Sequence, residues 1–201
     1  MDKISHYISE KLRVSAFMHS EKPKTLADLI SIVEERIRKD HNCDLNDIDV
    51  SQIENMSYLF YELDPHNIDI SQWDVSNVKN MKCMFYYCKN FNCDLSSWDT
   101  SSCLSMNGMF FKCKSFNSDL SQWDVSNVED MSGMLMGCTS FNSDLSQWDL
   151  SSVETTLCMF SGCKKFNCDL SQWHMPNNKD MRKMLLDTTS MKKKPIWYKS
   201  I

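Results

Sequence analysis

Rows of carboxylates are the side chains best placed to do chemistry in this 201-residue chain. Asp44, Asp69, Asp94, Asp119, Asp144 and Asp169 recur every 25 residues, and five residues after each come Asp49, Asp74, Asp99, Asp124 and Asp149, with His174 in the last place. Carboxylates repeated at that interval repel one another, so each needs a hydroxyl, an amide or a cation beside it. Three uses fit: turn scaffolding satisfied by neighbouring Ser and Asn, an acidic surface for a basic partner, or calcium ligation between coils. The last lacks the glycine-rich loops of calcium-binding repeats. Gln72, Gln122, Gln147 and Gln172 stand two residues before the second row and extend the polar strip. The candidate partner-binding residues are therefore Gln72, Asp74, Asp99, Gln122, Asp124, Gln147, Asp149, Gln172 and His174.

Other reactive types point away from catalysis. Cys88, Cys113, Cys138 and Cys163 share one place in the period, where a buried thiol serves as a small hydrophobe. Cys83, Cys88 and Cys93 lie five apart and no C-x-x-C occurs, which is not zinc spacing. Disulfides between neighbouring coils are conceivable, and the compartment decides them. His6, His19, His41, His66 and His174 are scattered and pair with no nucleophile motif. Four Gly in the whole chain leave no phosphate-cradling loop. The reading is a non-enzyme with no cofactor and no metal.

These residues are positioned by an internal repeat. Trp73, Trp98, Trp123, Trp148 and Trp173 are 25 apart, with Ile48 one period earlier. Six copies run 44–68, 69–93, 94–118, 119–143, 144–168 and 169–193. Counted from the leading Asp, positions 2, 5, 7, 10, 13, 16, 17, 20 and 23 are apolar. Leu120, Trp123 and Val125 have the L-x-x-L-x-L spacing of a short strand, which buries positions 5 and 7 and turns position 6 outward. From Val128 the intervals of three and four predict a short helix through Met131, Met134, Leu135, Cys138 and Phe141. Ser51 with Glu54, Ser126 with Glu129 and Ser151 with Glu154 read as its capping boxes, and Pro176 suits its first turn. The Trp column reads as core, and Asn67, Asn92, Asn117, Asn142 and Asn167 as an internal amide ladder between coils.

Stacked copies of such a unit predict an α/β repeat solenoid, with parallel strands on a concave face and short helices on the other. Residues 1–43 form its helical N-terminal cap. Ile4, Tyr7, Ile8 and Leu12 are spaced for one short helix; Leu26, Leu29, Ile30, Val33 and Ile37 are spaced for a better one, with Thr25 and Asp28 as its capping box. Residues 44–193 are the solenoid, and 194–201 close it with Trp197 and Tyr198.

The formal charge of -5 is uneven, since Lys192, Lys193, Lys194 and Lys199 offset an excess of Asp in the repeats. With no basic stripe, nucleic acid is not the partner. No apolar run suits membrane insertion or a secretory leader, so the chain reads as cytoplasmic, with the cell surface or signal-peptide-independent secretion as the alternative.

The runs W-D-V-S-N-V and M-F-x-x-C-x-x-F-N make residues 44–191 resemble the bacterial surface-protein repeat of mycoplasma-type lipoproteins, often described as BspA-like leucine-rich repeats. That resemblance implies a leucine-rich-repeat-like scaffold of host-associated microbes that binds proteins or surfaces. Together these readings give a monomeric protein-binding scaffold presenting its acidic concave face to a protein partner, a basic one by charge. The alternative is a structural or adhesive surface protein whose contacts lie on the convex face or the caps.

Overall fold

The computed structural model describes residues 21–198. The helix expected around Ile4 to Leu12 lies outside the described residues, as do His6 and His19. Helix α1 spans Leu26–Lys39 and follows the sequence pattern closely. Thr25 caps it: the Asp28 amide donates to Thr25 Oγ1 at 3.1 Å and the Thr25 amide to Asp28 Oδ2 at 3.0 Å. Leu29, Val33 and Ile37 form its buried stripe. At the border of that stripe Arg36 grips Glu21 Oε1 at 2.7 Å and Asp47 Oδ2 at 2.9 Å, fixing α1 to the chain before it and to the first repeat.

Beyond α1 the expected α/β architecture is overturned. Among the described residues there is one helix and no strand, so the repeats contain neither the parallel sheet nor the short helices. One line of isolated parallel bridges joins Asn55, Asn80, Ser105, Asp130, Thr155 and Asp180, one residue per copy, and two further bridges pair Glu21 with Ile48 and Asp44 with Asp69. With no helix to begin, the Ser51, Ser126 and Ser151 capping boxes do not form, and Pro176 opens no helix.

Each copy is instead a coil of β-turns. In the third copy the Met109, Phe111 and Cys113 amides donate back to the carbonyls of Met106, Gly108 and Phe110 at 3.0–3.1 Å. Three residues back is the hydrogen bond that closes a β-turn, whereas an α-helix would bond four back. The intervening amides of Met106, Gly108, Phe110 and Lys112 donate to the next coil, to Asp130, Ser132, Met134 and Met136. Half the amides therefore close turns and half join neighbouring coils. With that alternation no bridge is extended by the next one along the chain, so the bridges stay isolated and no strand forms among the described residues.

The turns require a left-handed backbone at positions 15 and 19 of every copy. Tyr58, Cys83, Gly108, Gly133, Cys158 and Lys183 occupy the first, and Glu62, Tyr87, Lys112, Gly137, Gly162 and Asp187 the second, all with φ between +53° and +78°. An L-residue there costs about 1–2 kcal/mol. The coil-to-coil bonds and the core must offset it.

That core is continuous. Trp73, Trp98, Trp123, Trp148 and Trp173 are at most 5% exposed, and each indole N–H donates to a main-chain carbonyl 28 residues earlier, as Trp123 does to Leu95 at 2.9 Å. Trp98 stacks over Trp123 and Trp148 over Trp173, at 6.3 and 6.4 Å. Phe91, Phe116, Phe141 and Phe166 stack at 5.9–6.0 Å in a second column. Phe110 meets Phe116 of its own coil at 4.0 Å and Trp123 of the next at 6.2 Å, so the columns touch across the interior. Fully burying one such ring contributes about 1.5–3 kcal/mol. At the C-terminal end Tyr198 is buried and Trp197 donates to the Leu170 carbonyl at 3.0 Å.

Candidate functional site

The expected polar strip is exposed, and its geometry is mostly local. In both Asp rows Oδ1 accepts the amide of the Ser two residues on: Asp119 from Ser121 at 2.9 Å, Asp124 from Ser126 at 3.0 Å. The hydroxyls of Ser51, Ser76 and Ser126 add a second bond to the same oxygen at 2.6–2.7 Å. These are Asx-turns, in which a short carboxylate takes the place of a backbone carbonyl. Bonds from those serines hold the carboxyls of Asp49, Asp69, Asp99, Asp119, Asp144 and Asp149 below the ordinary carboxylate value. Asp74, Asp99, Asp124 and Asp149 thus shape turns at the surface.

The glutamines lie on an adjoining strip. Gln72, Gln122, Gln147 and Gln172 each donate Nε2 to the preceding Ser hydroxyl at 3.2–3.3 Å. Gln122 and Gln147 share a shallow trough with Asn117, Asp119, Asn142 and Asp144, while Gln72 lines its counterpart two coils away. Asp124 and Asp149 do not line the trough, so the structure separates the Gln row from the Asp row grouped with it. His174 is exposed at the degenerate last copy.

The asparagine column does join coils, with its carbonyls accepting. Asn92, Asn117 and Asn142 Oδ1 take the amides of Asn117, Asn142 and Asn167 at 2.8–2.9 Å. The thiol column is core: Cys88, Cys113, Cys138 and Cys163 are buried and donate to Phe60, Phe85, Phe110 and Leu135 carbonyls at 2.9–3.0 Å. Burial pushes the Cys88 and Cys163 thiols up to about 12 and those of Cys113 and Cys138 well above the ordinary value. All ten cysteines are free. Among the described residues no three His, Cys, Asp or Glu side chains gather where they could hold a metal ion.

A surface that sequence reasoning missed lies about half a coil away from the Asp rows. Position 18 carries Tyr61, Tyr86 and Phe111, stacked at 5.0 and 4.5 Å with planes 8° and 5° apart. Tyr58 lies 5.7 Å from Tyr61, and Tyr87 5.0 Å from Tyr86. Tyr58 and Tyr61 are 44% and 40% exposed, unusual for large aromatic rings. Two lysines border the patch: Lys112 Nζ sits 4.7 Å from the Tyr87 ring centre and donates to its hydroxyl at 2.6 Å, and Lys82 Nζ is 5.9 Å from the Tyr58 ring. Desolvation raises the Tyr61 and Tyr86 hydroxyls, with Glu62 and Tyr87 respectively adding to the shift. They stay protonated donors at neutral pH. Since the rings stack along the coil axis, their edges and hydroxyls face outward and their faces are covered by one another. A sugar ring needs an open aromatic face; this strip suits the mixed apolar and hydrogen-bonding contacts of a protein surface.

No described helix is long and apolar enough to cross a membrane. The family model described as Mycoplasma protein of unknown function, DUF285, matches residues 28–126 and 93–197. Neither a curated protein nor a solved structure matches the chain.

Proposed function

We propose, for a chain that belongs to the family of Mycoplasma proteins of unknown function DUF285, a non-enzymatic scaffold that binds a protein partner through its tyrosine and lysine edge. The carrying observation is the aromatic column exposed at Tyr58 and Tyr61 and half-buried at Tyr86, Tyr87 and Phe111, with Lys82 and Lys112 against it. Tyrosine-rich patches are the commonest anchors of protein interfaces: they offer large contact area, lose few rotamers on binding and keep a hydrogen-bonding tip. The Asp rows are a weaker candidate for contact, because each carboxylate already shapes a turn. Placing the contact on the side opposite the Asp rows favours the second reading of the sequence, in which binding is not through the acidic strip. Kinship with BspA-like surface-protein repeats belongs to the same proposal and rests on the W-D-V-S-N-V and M-F-x-x-C-x-x-F-N runs.

A photo-crosslinking phenylalanine analogue placed at Tyr86, and separately at Gln122, tests this in the native cell. The reading expects protein adducts from position 86, abolished by Tyr61→Ser. Adducts from position 122 alone would overturn it.

A further inference from the structure

The coils separate charge around their circumference. Positions 1 to 9 of the six copies hold twelve Asp and no Lys or Arg. Positions 14 to 23 hold eight basic side chains, from Lys82 to Lys183, against the three acidic ones Glu62, Asp64 and Asp187, a net of +5. Since a coil closes in 25 residues, those two arcs are about half a circuit apart, and Trp and Phe rings that meet in the interior come one from each. A protein with a formal charge of -5 therefore has one strongly acidic edge and one basic edge.

Both edges have unused capacity. At Asp74 and Asp124 every described bond goes to Oδ1, leaving Oδ2 open. Among the described residues no carboxylate pairs with Lys89, Lys114, Lys164 or Lys165, all of them exposed. On the same edge Lys82 and Lys112 lie against the Tyr58 and Tyr87 rings. The edges also share one pitch, because the carboxylates repeat once per coil and Lys89, Lys114 and Lys164 hold one place in the period, one and two coils apart. Two stacks laid side by side can therefore set a carboxylate against each of those lysines.

We propose that the basic, tyrosine-lined edge takes the acidic edge of a second copy of this chain, so that copies associate laterally. This rests on the reading of the tyrosine edge as a binding surface, and it gives that edge a partner of stated chemistry. It also replaces the expectation of a monomer. The contact is heterologous, since different patches meet, so a dimer keeps one free edge of each kind and association continues beyond it. Charged edges drive it, so salt screens it: the Debye length falls from about 10 Å at 0.1 M to about 3 Å at 1 M.

Sedimentation velocity on the full chain tests this with two variants. One carries Asp74→Asn, Asp99→Asn, Asp124→Asn and Asp149→Asn, which removes charge while keeping the oxygen that each turn uses. The other carries Lys89→Gln, Lys114→Gln, Lys164→Gln and Lys165→Gln. The wild type should form species whose mass grows with concentration at low salt and falls to monomer near 1 M. Each variant alone should associate at least about ten-fold more weakly, and an equimolar mixture should yield heterodimers and nothing larger, because each variant retains one intact edge. Unchanged circular dichroism establishes that both variants fold. A wild type monomeric at all concentrations and salts, variants that associate like it, or a mixture that forms no dimer would each overturn the proposal. If the wild type stays monomeric while position 86 still crosslinks to another protein, only this inference fails and the tyrosine-edge reading stands.

Discussion

Replacing Gly133 by Ala separates the turn-built coil from a helix by the sign of its effect. Gly133 lies in the middle of the stretch whose spacing reads as helical, and its φ is +62°. In a helix the substitution would stabilise by about 1 kcal/mol, since Gly is that much poorer than Ala in a helix interior. In the observed turn, an added Cβ would meet nothing closer than Phe111 Cδ2 at 3.9 Å, so no collision contributes. What remains is the left-handed backbone, costing an L-residue about 1–2 kcal/mol, partly offset by about 0.4–1 kcal/mol from a less disordered unfolded chain. The net expectation is a loss near 1 kcal/mol, and the two architectures differ by about 2 kcal/mol. Urea unfolding followed by tryptophan fluorescence resolves that difference, with the midpoint lowered and the slope unchanged. Lys183→Gly is the mirror experiment: Lys183 is exposed with φ +55°, so glycine should be neutral or stabilising there, where a helix would lose about 1 kcal/mol. A more stable Gly133→Ala protein would refute the turn architecture.

Three further outcomes follow from the same geometry. Asp124→Ala should destabilise by about 1 kcal/mol in chemical unfolding, whereas Asp124→Asn should be nearly neutral, because the amide oxygen can still accept from Ser126; equal losses would mean that charge matters and not the turn. Thiol titration of the folded protein should leave Cys88, Cys113, Cys138 and Cys163 unlabelled until denaturant is added, while half-exposed Cys43 and Cys158 react. Stability should also fall in acid. The carboxyls of Asp49, Asp69, Asp99, Asp119, Asp144 and Asp149 bind protons less readily folded than unfolded, so their contribution is complete above the unfolded value of about 3.9 and is lost as pH drops through the lower folded values. Exposure keeps this effect modest, and a urea midpoint flat down to pH 2 would contradict it.

Burial was legible in the sequence even where secondary structure was not. The period, the Trp, Phe and Cys columns, and α1 with its Thr25 cap all follow from apolar spacing, because a residue repeated every 25 in a stack meets its own copies. The backbone was misread because successive β-turns also bring residues i and i+3 to one side, so Val128, Met131 and Met134 fit a helix and a turn ribbon equally well. Two signals argue for turns. Asp or Asn followed two residues later by a residue whose amide it caps occurs three times in a copy, as at Asp119, Asp124 and Asp130, and each cap would interrupt an element. Gly108, Gly133, Gly137 and Gly162 fall inside the expected helices, at the positions that turn out left-handed. The tyrosine edge stayed hidden for a different reason. Positions 15, 18 and 19 vary between copies, so columns of constant residues pass over them, although Tyr61, Tyr86 and Phe111 form an aromatic run at position 18. The Asp rows drew attention because they are constant, and their constancy reflects the turn that each one closes.

A repeat built as a coil of turns has a distinct signature in its Cα chemical shifts across residues 119–143: left-handed values at Gly133 and Gly137, where φ is +62° and +78°, and no run of helical shifts between them and Phe141. An uninterrupted helical run from Val128 to Phe141 would contradict it, and would remove the backbone that aligns Tyr61, Tyr86 and Phe111 into one edge.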